Sequence, residues 1–387
     1  MKICFMKTPS FALTLASVFI FVPASVALAD GLRSLEQNAS GLGVAYAGSA
    51  AVADNASTVF YNPAGLTRLP EHQVSLGITG VRHNYAFDDN GSFGASGGDG
   101  GNAGRWRALP NAYLSWAVNP QWVVGLGISS PHGLHTDYDD DWRGRQFMVE
   151  ARLRSWNFNP SVAYKFSDKV SLGLGLNYEK LKLETNWADG ASNTLSRSDS
   201  DTAWGWNAGA LFTLSPAMRV GVAYRSSLAF DLNAAQPFPG INRRGELKTP
   251  SSLTLSVWQQ VSGQWEAMGD LSYLRWKDVN GYGHDGWRFA WGAAYAYNER
   301  WKSKFGIAYE HGAIRDRNRS AVLPDNHRLW FSLGGQYRIG KAAALDFGYA
   351  YQWVKTPDID QRGSGLRLTG DYDANSHVLG VQYTQDF

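Results

Sequence analysis

The pattern that most constrains this chain is an asymmetry in how its alternating segments are joined. From residue 73 onward, apolar residues recur at every second position, the period of a strand with two unlike faces. Six joints are short turns: Asn119-Pro120, Ser167-Asp168, Ser215-Pro216, Ser262-Gly263, Asn298-Glu299 and Gly340-Lys341. Each follows a segment ending in aromatic or aliphatic residues, such as Val162/Tyr164/Phe166, and precedes a segment with a glycine a few residues in: Gly125, Gly173, Gly221, Gly269, Gly306 and Gly348. Between the hairpins lie longer polar stretches at 88–104, 134–146, 188–200, 232–248, 277–285, 313–325 and 355–371. Six short joints and seven long ones make thirteen connections, hence fourteen strands. Short turns on one side and long loops on the other are the signature of an outer-membrane barrel. The expected fold is an all-β transmembrane barrel of 14 antiparallel strands over 73–387.

A soluble sandwich would carry one apolar face per strand and evenly short turns. Here the apolar face is tipped by Trp and Tyr at both ends, as in the aromatic belts of membrane proteins. Trp204 and Trp206 open one strand that Phe212 and Leu214 close. The last strand sets Leu379, Val381, Tyr383 and Phe387 against Gly380, Gln382, Thr384 and Asp386, one face for lipid and one for the lumen. Aromatic residues are 13% of the chain, too many for a disordered protein. Only the first 30 residues approach the ~20-residue apolar run of a membrane helix.

Those residues read as a secretory leader over 1–29. Lys2 and Lys7 precede the apolar run Phe11–Val22, and Ala27-Leu28-Ala29 is a cleavage site, so the mature chain is expected to begin at Asp30. The one cysteine, Cys4, lies in the leader, which leaves no thiol for a disulfide or metal afterwards. Without Lys2 and Lys7 the basic count falls from 36 to 34, equal to the 34 acidic residues, so no nucleic-acid partner is expected. Residues 30–72, rich in Ala, Gly, Ser and Asn, form a separate N-terminal unit.

Enzymatic signatures are weak. There is no HExxH and no P-loop. Gly98-Asp99-Gly100 lacks the preceding apolar strand of a phosphate cradle. No spacing marks a nucleophile beside His132, His135, His311 or His377. Asp137, Asp139, Asp140 and Asp141 lack the spacing and turn glycine of a calcium loop. Neither cofactor nor metal is expected, and the chain reads as a non-enzyme.

Strand charges carry more information. Glu150, Arg152 and Arg154 oppose Val149, Ala151 and Leu153; Arg225 opposes Val222 and Tyr224; Arg328 opposes Leu329 and Phe331. Charge is costly against lipid, so these arginines are expected to face the lumen, either as a paired ladder or as a group that attracts a ligand carboxylate. Apolar residues are odd-numbered from Phe147 to Leu153 and even-numbered from Trp156 to Phe166, which predicts a β-bulge near Ser155–Pro160. Ser130-Pro131-His132-Gly133 directly follows a strand; it is either an ordinary strand end or a break in wall pairing. Asn62-Pro63-Ala64 reads as a helix start, with Asn as cap and Pro at the first helical position.

With these segments in view, the chain resembles the FadL family of outer-membrane transporters for long-chain fatty acids and other hydrophobic compounds. The resemblance runs through Ser40-Gly41-Leu42-Gly43, Ala45-Tyr46, Ala53-Asp54-Asn55, Asn62-Pro63-Ala64, Trp204-Gly205-Trp206-Asn207-Ala208-Gly209, Tyr224-Arg225-Ser226 and Leu323-Pro324-Asp325. It implies fourteen strands, an N-terminal hatch of short helices inside the lumen, and a kinked third strand that opens the wall sideways at Ser130, Pro131, His132 and Gly133. It also implies that the hatch N-terminus enters the ligand pocket, where Leu32 is the nearest apolar residue. The pocket candidates are Leu32 from the resemblance and, from the strand pattern alone, Arg152, Arg154, Arg225, Arg328 and Trp330, and the terminal Phe387 resembles an assembly signal. The expected function is passive uptake of long-chain fatty acids across the Gram-negative outer membrane. Monoaromatic hydrocarbon uptake and a barrel-anchored surface receptor or adhesin are the alternatives. The expected partners are a hydrophobic small molecule, outer-membrane lipid and lipopolysaccharide, and the barrel assembly machinery, with the protein acting as a monomer.

Overall fold

The computed structural model describes residues 32–94, 96–189, 193–233, 245–279, 284–314, 316–363 and 365–387. The expected leader, with Lys2, Cys4 and Lys7, lies outside the described residues. Among the described residues, fourteen antiparallel strands form the wall: β1 (His72–Asp89), β2 (Trp106–Ala117), β3 (Trp122–Ser129, resumed at Gly133–Asp137), β4 (Glu150–Lys165), β5 (Val170–Ala188), β6 (Thr194–Ser215), β7 (Met218–Arg225), β8 (Ser251–Gln260), β9 (Trp265–Arg275), β10 (Gly286–Ala296), β11 (Trp301–His311), β12 (Arg328–Ile339), β13 (Ala343–Val354) and β14 (Leu366–Asp386). Each strand pairs with its successor, and β1 pairs with β14 from Gln73↔Asp386 to Asp89↔Gly370. That last pairing closes the ring, so neither the first nor the last strand is left as an edge facing lipid.

All six short turns fall where the alternation places them. Two of the seven polar stretches are largely strand. The 188–200 stretch belongs to the β5–β6 hairpin, which pairs as far as Ala188↔Thr194. In 355–371, Asp358–Gly363 folds back on Leu366–Asp371. Beyond the bilayer a strand has water on its outer face, so no apolar alternation marks it in the sequence.

The outer surface follows the expected alternation. Leu379, Val381 and Tyr383 are exposed while Gln382 and Thr384 are buried. Outward aromatic pairs mark both borders of the apolar band. Trp122–Tyr164 and Trp301–Tyr337 lie near the short turns, with ring centroids 4.6 Å apart, and Tyr178–Trp204 lies toward the loops at 4.8 Å. Such aromatic girdles sit at membrane–water interfaces.

The expected bulge near Ser155–Pro160 is absent. β4 pairs with β5 in one unshifted register from Glu150↔Asn186 to Lys165↔Ser171. Ala151, Leu153, Ser155, Asn157 and Asn159 are all buried on the same inner face. The polarity changes sides because the surroundings change. Within the bilayer the outside is apolar, whereas above it the outside is wet and the inside is an apolar cluster. Arg152 and Arg154 therefore point outward, contrary to the expectation that they face the lumen; Arg154 meets Glu184 at 2.5 Å on the outer face.

The recurring glycines have a structural explanation. Gly125, Gly173, Gly221, Gly306 and Gly348 face inward, and a Cβ on any of them would crowd or overlap the N-terminal segment: Val59, Ala64, Ala50, Val44 and Leu42 in turn. Gly269 faces outward and has no such neighbour. The segment itself is built from short turns, Leu42–Val44, Thr58–Tyr61 and Pro63–Arg68. Asn62 caps the last of these as expected, accepting from Ala64 N–H at 3.1 Å. Its Nδ2 also donates to Ala50 O at 2.7 Å and to Ala210 O of β6 at 3.1 Å, which ties the segment to the wall.

Gly306→Val is expected to displace the Leu42–Ala45 turn, since overpacking a close contact costs ~1–3 kcal/mol. Limited proteolysis should then cut within residues 38–66, while heat-modifiable migration of the barrel is unchanged.

Candidate functional site

The wall is discontinuous between β2 and β3. Ala112–Ala117 pair with Val123–Ile128, but above Ala112 the strand β2 pairs only with β1. After the interruption at Ser130–His132, the resumed part of β3 pairs along its length with β4, from Gly133↔Arg154 to Asp137↔Glu150, and meets the chain ahead of β2 only at its far end, where Gly104 bridges Thr136 and Asp137 N–H donates to Ala103 O at 2.8 Å. Pro131 supplies no backbone N–H to the wall. The four residues Ser130-Pro131-His132-Gly133 therefore form a break in pairing and not a simple strand end.

The backbone groups freed there are satisfied from inside. Ser34 N–H donates to Pro131 O at 2.7 Å, and Gly133 N–H donates to Leu32 O at 2.9 Å. The Gln37 side chain accepts from Ser130 N–H at 2.8 Å and donates to Ser130 O at 3.0 Å. His132 N–H donates to Ser155 Oγ at 2.9 Å. The buried His132 ring sets Nδ1 2.7 Å from Glu179 Oε1, and Asn157 Nδ2 donates to Glu179 Oε2 at 3.1 Å. A recess of about 220 Å³ opens over this region, lined by both the unpaired part of β2 and the resumed part of β3.

Next to the break lies an apolar cluster that includes Leu32, Leu134, Leu153, Leu181, Phe230 and Trp276. Its lid comes from the long loops, through Leu228, Val279, Ile314 and Leu323. Leu32 belongs to both features: its side chain is in the cluster and its carbonyl is in the break.

The other predicted residues are dispersed. Arg328 faces inward but meets Asp325 at 2.9 Å and Gln352 at 3.2 Å. Trp330 is buried below it, edge-on to Tyr46 with centroids 6.3 Å apart. Arg225 donates to Phe60 O at 2.9 Å and to Asn177, and lies over the Phe60 ring. The interior charges are mostly paired: Arg288–Glu310 at 3.0 Å, Lys304–Asp346 at 2.8 Å and Lys302–Glu266 at 2.7 Å. Asp137, from the acidic run, meets Arg105 at 2.9 Å. Phe387 is exposed, with its N–H on His72 O at 3.0 Å.

Glu36, Gln37, Arg107 and Glu179 were not singled out by the sequence. For Arg107 the signal existed, since alternation through Trp106-Arg107-Ala108-Leu109 turns it inward with Leu109. Glu36 stands in irregular chain that offers no period. Burial pushes its carboxyl above the ordinary value, with Glu310 adding to the shift and Arg328 and Arg107 opposing it. A carboxyl raised in the folded state binds its proton more readily there, so its contribution to stability declines as pH rises through the carboxylate range.

A closed antiparallel barrel with an apolar outer band defines a class, the membrane-spanning β-barrels. The family described as Outer membrane protein transport protein (OMPP1/FadL/TodX) matches residues 20–387, and the chain belongs to that family. It is thus an integral β-barrel of the outer membrane, in a family of transporters. Outer membrane protein P1 of Haemophilus influenzae is 30% identical, over 95% of this chain and 97% of that protein. The long-chain fatty acid transport protein of Escherichia coli K12 is 27% identical, over 91% and 94%. Among solved structures, a Pseudomonas aeruginosa FadL homologue superposes with a TM-score of 0.81 at 20% identity, over 92% of this chain and 100% of that one. The Ralstonia pickettii toluene transporter TbuX gives a TM-score of 0.67 at 17% identity, over 90% and 98%. At these identities the superpositions establish the fold.

Gln37→Ala would leave the Ser130 N–H and C=O without their side-chain partner, at ~1–3 kcal/mol for each buried group left unsatisfied. A lower urea midpoint in detergent is the expected result, together with faster hydrogen exchange at Ser130 than at Ser129.

Proposed function

We propose that this protein takes up long-chain fatty acids passively across the outer membrane. In this reading residues 1–29 are the leader, residues 30–72 are a hatch within the lumen, and the barrel begins at residue 73. The ligand enters from the loop side, occupies the apolar cluster around Leu32, and leaves through the wall at Ser130–Gly133. Phe387 serves assembly, and the barrel works as a monomer.

The observation that carries the proposal is the double role of Leu32. One residue of the N-terminal segment lines the apolar cluster and also supplies a hydrogen bond to the wall break. A shift of that residue changes pocket and opening together, so ligand binding and wall opening are mechanically linked. Lipopolysaccharide is a polar barrier, whereas the bilayer interior suits an alkyl chain. A sideways exit lets the ligand run from apolar pocket to apolar bilayer without an energy source. A fatty acid has both the tail for such a pocket and a head that needs a polar partner. That favours it over a monoaromatic hydrocarbon.

Replacing Pro131-His132-Gly133 with Val-Thr-Val is expected to restore a continuous β2–β3 ladder. Oleate uptake by cells carrying only this variant should fall at least fivefold, with heat-modifiable folding preserved. Undiminished oleate uptake by the folded variant would refute the lateral route, and uptake of toluene in place of oleate by the unaltered protein would refute the substrate.

A further inference from the structure

Charge balance and position together single out one of the interior cations. Arg288, Lys302, Lys304 and Arg328 each have a carboxylate within 3.0 Å. Arg107 differs from them, as does Arg225 with its neutral partners Phe60 O and Asn177, but of these two only Arg107 stands at the wall break. It projects inward from the part of β2 that has no β3 partner, and its Nη2 donates to the neutral Ser34 Oγ at 3.1 Å. It has no ion pair among the described residues. Its guanidinium lies against Gly133, where any Cβ would overlap Nη2. It therefore occupies the gap that β2–β3 pairing would otherwise fill.

The surroundings of Arg107 suit an amphiphile with an anionic head. Trp106, Leu109, Pro110, Leu134 and Trp156 give the recess its apolar lining, and the outward Arg152 and Arg154, the latter paired with Glu184, also border it, which leaves Arg107 as its inward-facing cation. The depth is also suitable. Along the neighbouring β1 and β14, the outward residues change from Ile78 and Leu379 to Arg82 and His377 at the level where Val81 pairs with Arg107. Arg107 thus stands where the hydrocarbon gives way to the polar interface. An ionised head is expensive to drag through hydrocarbon. A fatty acid leaving sideways therefore keeps its carboxylate at the interface while its tail enters the bilayer. A planar guanidinium at that depth can hold the carboxylate through two parallel N–H donors.

We propose that Arg107 is the carboxylate-binding residue of the wall opening, holding the head of a long-chain fatty acid at interfacial depth as its tail passes between β2 and β3. This rests on the fatty-acid reading above and adds to it a residue and a selectivity: carboxylates are retained at the opening and neutral amphiphiles are not. Ser34 would be displaced from Arg107 by the arriving head, which links ligand passage to the N-terminal segment that bridges the break.

The test uses the full mature chain in detergent, with oleate and oleyl alcohol as paired probes, since they differ only in the head. The unaltered protein should bind oleate at least tenfold more tightly than oleyl alcohol. Arg107→Gln should reduce oleate affinity about tenfold and change oleyl alcohol affinity less than twofold, and Arg107→Lys should recover part of the oleate affinity. Equal losses for both probes would show a packing role and overturn the assignment, as would unchanged oleate binding in Arg107→Gln. Either of those results leaves the fatty-acid reading intact, because the unaltered protein still binds oleate. Failure of the unaltered protein to prefer oleate overturns both. That last measurement requires no variant, so the proposal remains testable if Arg107→Gln does not fold.

Discussion

Lipid offers a polypeptide no hydrogen-bond partner, and the architecture of this protein follows from that. Fourteen strands close into a ring because any edge would present bare amides to hydrocarbon. The same constraint makes the break after Ser129 informative. A gap in such a wall persists only if other groups satisfy its backbone, and here Leu32, Ser34, Gln37 and Ser155 do so. The opening is therefore a composite of wall and N-terminal chain. Removing the contacts of the N-terminal chain alone would leave polar groups of the wall unpaired.

Much of the fold was legible because the bilayer imposes two simple rules on sequence. Alternation reveals each membrane-crossing strand, and the contrast between short and long joints reveals its direction. The rules hold only where lipid touches the strand. Beyond the aromatic border the outer face is wet, and reading the apolar residues of β4 as lipid-facing there produced a bulge that does not exist and turned Arg152 and Arg154 the wrong way. The 188–200 stretch misled for the same reason, since a strand polar on both faces looks like a loop. The site was less legible than the fold. Pro131 and Gly133 mark the break by their backbone chemistry, and Leu32 by resemblance. Gln37 and Glu36 act through tertiary contacts from irregular chain, where no period exists to read. Arg328 has the right face but a resident partner in Asp325, which becomes visible only when a loop residue is placed beside a strand.

The charged residues within the barrel divide by company. Most are cation–carboxylate pairs that satisfy one another and fill space. Buried pairs of that kind are costly to break and contribute little net stability, so their value lies in fixing the N-terminal segment, as where Lys304 also donates to Ser40 O at 2.8 Å and Arg288 to Ala45 O at 2.5 Å. Arg107 and Arg225 stand apart from this arrangement, and of the two Arg107 lies where the wall is open.

The glycine seats have a consequence for how the wall is aligned. Gly125, Gly173, Gly221, Gly306 and Gly348 come from strands spread around the ring, and each is in close contact with the N-terminal segment. The segment fits these contacts only when all five strands stand in register. A slip of one residue in any of them would turn its glycine outward and set a side chain against the segment. The N-terminal segment thereby acts as a gauge of the wall's register, reading five strands at once from the inside.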